Sequence, residues 1–513
     1  MKKFKILDCT LRDGGYYTNW DFDDSAVETY IDSINNLPID FIEIGYRSIK
    51  LDGYLGKYFY LPISVINEIR NKTDKKLVII LNEKDIRVEH LDSILGQCVG
   101  LIDLVRIAID PKNIKRAITL AKGLKNMGFK VGFNVMYMST WFDQKDLFES
   151  LSEVNTVADY FYMVDSFGGV YPKDVIKTYD RIKKDLTIKI GFHGHNNLEL
   201  ALINTIIAID CGVDIVDATI TGMGRGAGNL KTELLLTHLS SVQGLQINFN
   251  SLSNVVDVFS LLQKKYNWGT NLPYMVSGAN SLPQKQVMEW VSNRSYSYNS
   301  IIRALNNESK GIADNERLGH FQIDKTYDKI LIIGGGPSVE KSCAFIKSFL
   351  SENANTLVIH SSSRNAFIFS KLLNVQIFCL LGNEGYRMEK IFKNDLPTES
   401  KCILPPYPRL MGTYIPIKMR DKSYELEKNN LNSVTDISHT SLALQTAINH
   451  SPDKIYIVGY DGYSSSLSKK EQDLFIENNS LFKEVNDLGY DLISLTKSDY
   501  TNLTPGSVFS EIE

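Results

Sequence analysis

The chain has only six cysteines in 513 residues, at positions 9, 98, 211, 343, 379 and 402, and none forms a Cys-x-x-Cys pair. That scatter argues against a zinc ribbon and against a disulfide framework. No run of about 18 apolar residues exists, the length a membrane-spanning helix needs. The opening stretch MKKFKILDCT is too short and turns polar too early for a secretory leader. A surplus of one charge is missing as well: the formal net charge is −4, which provides no basic surface for nucleic acid and no polybasic patch for a membrane. Low-complexity tracts and a repeat joining the two halves are also absent. Together these absences predict a cytoplasmic chain whose partners are small molecules, with no nucleic acid and no membrane span.

What is present is ordinary globular material, 43% hydrophobic and 23% charged, on a chain long enough for two or three domains. Short apolar runs alternate with amphipathic stretches from residue 4 to about 220. The strand-like runs are Phe4–Cys9, Phe41–Tyr46, Leu77–Leu81, Ile102–Ile107, Lys130–Met136, Tyr160–Val164, Ile188–Phe192 and Asp214–Ala218. Eight such βα repeats fit a (β/α)8 TIM barrel over residues 1–230, with a doubly wound open sheet as the alternative. Residues 231–308 read as a helical extension of the barrel and 309–326 as a linker around Gly311. Residues 327–513 read as a second, Rossmann-like α/β domain, opening with a strand at Lys329–Ile333 and the turn Gly334-Gly335-Gly336-Pro337-Ser338.

Two stretches carry the chemistry. Leu7-Asp8-Cys9-Thr10-Leu11-Arg12-Asp13-Gly14-Gly15 closes the first strand, and His193-Gly194-His195-Asn196-Asn197 closes the seventh. In an extended strand, residues i and i+2 share a face, so His193 and His195 aim two imidazoles at one point and Asp13 adds a carboxylate from another strand. Two His and one carboxylate with open positions suit a catalytic divalent metal. Arg12 beside the carboxylate suits negative charge developing there.

Two further segments stand at barrel spacing: Val164-Asp165-Ser166-Phe167-Gly168-Gly169, and Val216-Asp217-Ala218 with Gly222 to Asn229 reading GMGRGAGN. With these four segments, residues 4–300 resemble the DRE-TIM metallolyases, and within them the 4-hydroxy-2-oxoacid aldolases. The resemblance implies a lyase in which Asp13, His193 and His195 bind Mn, Mg, Co or Zn, with Asn229 as an added ligand. It implies that Arg12 stabilises an enolate oxygen, and that the substrates are a 2-oxoacid, pyruvate first, and an aldehyde. Arg106, Asn134 and Ser166, at strand ends, are candidates for the substrate pocket; Arg106 fits a structural ion pair equally well.

One departure stands out. The aldolases carry a His two residues after RDG, where this chain has Tyr16; the Claisen-type members read RDGEQ, where it has Gly15 and Tyr16. Tyr16 is thus the candidate for protonating or positioning the aldehyde oxygen, with pocket lining as the plain alternative. A Claisen-type acyl-CoA synthase and a non-catalytic barrel scaffold stay open as rival readings, and so does a homodimer.

In the second domain, the GGGPS turn and the segment Lys454 to Gly462 resemble bacterial sialyltransferases and motility-associated, pterin diphosphokinase-like proteins. The resemblance implies a nucleotide or nucleotide-sugar site near Gly335, Pro337, Ser338 and Asp461. The pairing of the two domains suggests assembly of a surface sugar.

Overall fold

The computed structural model describes residues 3–292, 297–311, 317–393, 396–397, 399–409, 413–431, 438–463 and 469–512. The chain divides into two compact units, Met1–Glu289 and Trp290–Glu513. Each of the eight expected runs in the first unit is a strand: β1 (Lys5–Asp8), β2 (Phe41–Tyr46), β3 (Lys76–Asn82), β4 (Leu104–Ile109), β5 (Val131–Val135), β6 (Tyr160–Asp165), β7 (Lys189–Gly194) and β8 (Ile215–Ala218). All pair in parallel and in sequence order, and β8 closes on β1 with Asp8 opposite Ala218. The first unit is therefore a TIM barrel. Strand ends move by a residue or two from the sequence reading because the hydrogen-bond ladder, not apolarity, sets them. β7 runs on through His193 and Gly194, which pair with Val164 and Asp165 of β6.

The barrel interior is layered. An apolar plug of Leu7, Phe41, Val78, Leu104, Tyr160 and Ile215 fills its lower part. The layer above is charged, and two glycines make room for it. The Arg106 guanidinium lies 4.0 Å from the Tyr162 ring centroid. A Cβ at Gly191 would strike that ring, and one at Gly132 would sit 3.2 Å from Arg106 Cγ. Outside the barrel, helix Phe249–Tyr266 packs on helix Asp24–Asn35, with Phe259 and Tyr30 rings 6.0 Å apart.

In the second unit the strands are β9 (Lys329–Ile333), β10 (Thr356–His360), β11 (Gln376–Cys379), β12 (Ser400–Leu404), β13 (Ser423–Glu425), β14 (Lys454–Val458), β15 (Leu492–Ser494) and β16 (Thr504–Pro505). They form one parallel sheet ordered β13-β12-β11-β10-β9-β14-β15-β16, so the strand order reverses between β9 and β14. Apolar clusters cover both faces. The sequence reading attached residues 298–308 to the barrel. Helix Tyr298–Ser309 instead belongs to the second unit, where Arg303 Nη2 donates to Asn383 Oδ1 at 2.5 Å. An amphipathic helix shows in sequence that it covers a core, not which core. Residues 312–316 of the expected linker lie outside the described residues. Among the described residues no helix is long and apolar enough to cross a membrane.

Replacing Gly191 with Ala forces the new methyl against Tyr162. We expect a loss of about 1–3 kcal/mol, read as a lower urea midpoint for the barrel transition; an unchanged midpoint would show that the interior is not packed around this glycine.

Candidate active site

The loop after β1 is fixed from below. The buried Asp8 carboxylate accepts from Thr10 N (3.0 Å) and Thr10 Oγ1 (2.6 Å), Tyr30 Oη (2.7 Å) and Thr232 Oγ1 (2.6 Å). Burial raises its pKa, and the hydroxyl donors offset part of that rise. Two helical turns follow, Thr10–Asp13 and Gly15–Thr18. Trp20 clamps them: its indole Nε1 donates to the Arg12 carbonyl at 2.8 Å, and its ring lies where a Cβ of Gly15 would go. Arg12 and Asp13 thus leave a rigid loop.

Asp13, His193 and His195 converge as the spacing of their motifs predicts, and each can offer an atom within 4.8 Å of the other two. They are 1%, 2% and 5% exposed. The two imidazole centroids lie 5.2 Å apart. Asn229, bridged to His195 through the backbone, donates its Nδ2 to Asp13. Burial pushes the Asp13 carboxyl up, but Arg12, His193, His195 and Asn229 outweigh it and bring it to about 2. His195 is held well below the usual imidazole range, chiefly by burial and then by His193. The cluster therefore offers an ionised carboxylate and a neutral imidazole at neutral pH, the protonation states a metal requires. His195 Nδ1 and Asn229 Oδ1 are buried and have no hydrogen-bond partner among the described residues. Such orphaned polar atoms are costly unless something pairs with them, and a divalent ion held by Asp13, His193 and His195 fits the cluster.

Beneath the ligands runs a buried network of ion pairs. Arg12 Nη1 donates to Asp13 Oδ1 (2.6 Å) and Arg12 Nε to Glu43 Oε2 (2.6 Å). Glu43 Oε2 lies 3.4 Å from Arg106 Nη1, and Arg106 Nη2 donates to Asp217 Oδ2 (2.6 Å). Asp217 Oδ2 pairs with His193 Nδ1 (2.9 Å), and His193 Nε2 lies 3.6 Å from Asp13 Oδ2. The network closes on itself. With Asp217 accepting from Nδ1–H, the Nε2 lone pair points into the ligand cluster, the usual way a carboxylate orients a metal-binding His.

Glu43 escaped the sequence reading, and Asp217 entered it only as part of a motif. The signal for Glu43 was there: a carboxylate inside the apolar strand FIEIGY needs a buried cation. The pocket candidates have engaged groups. Arg106 is wholly buried and serves Asn134 (2.6 Å), Asp217 and Glu43 inside the barrel. Asn134 spends its Oδ1 on Arg106. Ser166 Oγ accepts from the Tyr137 N–H at 3.0 Å, holding a loop. Tyr16 is partly exposed at the rim, its hydroxyl 3.3 Å from that of Tyr46.

In the second unit, Gly335, Pro337 and Asp461 line one cavity of about 760 Å³ at the ends of β9, β10, β11 and β14. Ser338 stands behind it, its N–H (2.9 Å) and hydroxyl both on Asp461. Gly334 and Gly336 give their N–H groups to Val458 and Gly459 carbonyls (2.8 Å each). Three N–H groups of the GGGPS turn, those of Gly334, Gly336 and Ser338, are thus taken up by protein.

Two substitutions test the network. Asp217→Asn removes the anion that orients His193, and we expect metal affinity to fall about 10–100-fold by titration calorimetry; unchanged affinity would break the link. Glu43→Gln leaves Arg12 and Arg106 without their shared counter-ion, a loss of about 3–5 kcal/mol by urea unfolding, where a loss near zero would count against it.

The HMGL-like family model matches residues 104–261. A 4-hydroxy-2-oxovalerate aldolase of Geobacillus genomosp. 3 is 31% identical over 252 residues, 46% of this chain and 70% of the relative. An oxaloacetate decarboxylase of Mycobacterium tuberculosis is 28% identical over 243 residues, 46% of this chain and 69% of the relative. The crystal structure of the N-terminal domain of a candidate aldolase from Bacteroides vulgatus is 56% identical, with a TM-score of 0.56, and covers 59% of this chain and 100% of that domain. With this coverage and the closed barrel, the chain belongs to the HMGL-like family and is a metal-dependent aldolase or carbon–carbon lyase.

Proposed function

We propose that the barrel makes or breaks a carbon–carbon bond between a 2-oxoacid enolate, pyruvate first, and an aldehyde. The observation that carries this reading is the convergence of Asp13, His193 and His195 beside Arg12, in a cluster with two buried polar atoms that lack partners among the described residues. A divalent ion held there supplies Lewis acidity toward a substrate oxygen; Mn, Mg, Co and Zn all suit the ligand set. Arg12 has Nε and Nη1 committed to Glu43 and Asp13, which leaves Nη2 for the negative oxygen that develops when a methyl proton leaves. Asn134, with Oδ1 on Arg106, keeps its Nδ2 for a substrate oxygen. Tyr16 donates a proton to the aldehyde oxygen as the bond forms and recovers it on cleavage. The two relatives' names agree with this chemistry: cleaving a 4-hydroxy-2-oxoacid and decarboxylating oxaloacetate both pass through an enolate of pyruvate.

For the second unit we propose a Rossmann-like nucleotide or nucleotide-sugar site, supported by a cavity at the point where strand order reverses. Joined to an aldolase, it would serve assembly of a surface sugar. Calorimetry with nucleotides and nucleotide sugars tests it: saturable binding lost in Asp461→Ala supports the site, and absence of heat with all of them removes it.

For the barrel, we expect release of pyruvate from 4-hydroxy-2-oxopentanoate, coupled to lactate dehydrogenase, to vanish with chelator and to return with Mn or Mg. Tyr16→Phe lowers kcat by about 10²-fold or more. Cleavage that survives full metal removal, or Tyr16→Phe at wild-type rate, would contradict the respective assignment.

A further inference from the structure

Arg225 is a charged group that the chemistry above does not use. It lies in the turn after β8, between Gly224 and Gly226. A Cβ at Gly224 would sit 3.2 Å from Asp13 Oδ2 and press on the Asn229 amide, so the backbone here passes directly over the ligand cluster. The next residue is held from both sides. Tyr17 Oη donates to the Gly226 carbonyl (2.8 Å), Gly226 N–H to Met288 Sδ (3.2 Å), and Gly228 N–H to the Arg225 carbonyl (3.2 Å). From that fixed backbone the guanidinium carbon lies 5.6 Å from the Tyr16 ring centroid. Arg225 and Tyr16 are partly exposed, above ligands that are almost wholly buried.

Among the described residues no carboxylate pairs with Arg225, and its Nε is buried without a hydrogen-bond partner. Every other arginine near the cluster is neutralised: Arg12 by Asp13 and Glu43, and Arg106 by Glu43 and Asp217. Charge balance sharpens the point. The three carboxylates and two guanidinium groups of the network leave one negative charge, a divalent ion makes the site positive by one, and a monoanionic 2-oxoacid brings it to zero. Arg225 then remains as an unmatched positive charge on the same side as Tyr16, the residue placed against the aldehyde oxygen. A guanidinium is a fixed fork for a carboxylate or a phosphate, and such charge-assisted pairs are strong where water is scarce.

We infer that the aldehyde substrate carries an anionic group, a carboxylate or a phosphate, which Arg225 binds while Tyr16 attends to the carbonyl. This rests on the aldolase reading above. In the condensation the 2-oxoacid gives up a methyl proton, its enolate carbon bonds to the aldehyde carbon, and the aldehyde oxygen takes up a proton. No oxidant or other reactant is needed, and the anionic group stays unchanged as a handle.

The test compares matched aldehydes with pyruvate and Mn on the full chain, following products by NMR. Succinic semialdehyde is set against butanal, and glyceraldehyde 3-phosphate against glyceraldehyde, so that the two anions are judged separately. We expect at least one anionic member to exceed its neutral partner in kcat/KM by about 10- to 100-fold, with the difference mainly in KM. In Arg225→Gln the pair should approach parity, and Arg225→Lys should keep part of the preference. Turnover of neutral aldehydes as good as that of both anionic ones, or an anionic preference intact in Arg225→Gln, overturns the inference and leaves the aldolase reading standing. No condensation or cleavage with any aldehyde, and no loss of the pyruvate methyl signal in heavy water, overturns the aldolase reading and the inference with it.

Discussion

The structure of this site depends on one buried network, in which Asp13, Arg12, Glu43, Arg106, Asp217 and His193 pair in turn and close on themselves. Isolated charges inside a barrel would cost several kcal/mol each, and single pairs at best break even against desolvation. A closed network is different, because each carboxylate meets two cations or a cation and an imidazole. Its members come from the helical turn after β1 and from β2, β4, β7 and β8, so the network forms only when the barrel closes. The ligand geometry is thus tied to the global fold and not to one flexible loop.

The same network sets the chemical state of the ligands. Arg12 and the two imidazoles hold Asp13 ionised with a pKa of about 2 against the pull of burial. Arg106 and His193 likewise keep Asp217 below the usual carboxylate range despite burial. Asp217 in turn sets the His193 tautomer. A divalent ion bound there would meet charges already set in place, and preorganised charge is what electrostatic catalysis uses. The room for it comes from Gly132 and Gly191, where any side chain would displace Arg106 or the Tyr162 ring on which it lies.

Much of this was legible in the sequence, for identifiable reasons. The eight strands could be read because they are short apolar runs at even spacing, and His193 and His195 because alternation in a strand is rigid geometry. Glu43 was not read, because its meaning lies in Arg12 and Arg106, distant in sequence and adjacent only after closure. In the second unit, the sequence carries apolar runs at Lys329–Ile333, Thr356–His360, Val375–Leu380 and Lys454–Val458, which are β9, β10, β11 and β14. β13, β15 and β16 are only two or three residues long, and β12 carries Ser400 and Lys401, so no such run marks them. The GGGPS segment could be read as a turn after a strand, but its residues did not show that the Asp461 carboxylate accepts from the Ser338 N–H there. Local pattern shows that a turn exists; what fills it is decided by contacts 123 residues away.

If this buried network holds a metal and Arg12 so as to make a 2-oxoacid enolate, pyruvate alone exchanges its methyl protons with solvent. Proton NMR of pyruvate in heavy water tests it without knowledge of the second substrate. With Mn or Mg present, and Mn removed by chelator before recording, the account predicts that the methyl signal disappears as deuterium replaces hydrogen. It predicts no loss in metal-free protein or in Asp13→Ala. A methyl signal that stays intact with both metals, or one that is lost equally in Asp13→Ala, would contradict it.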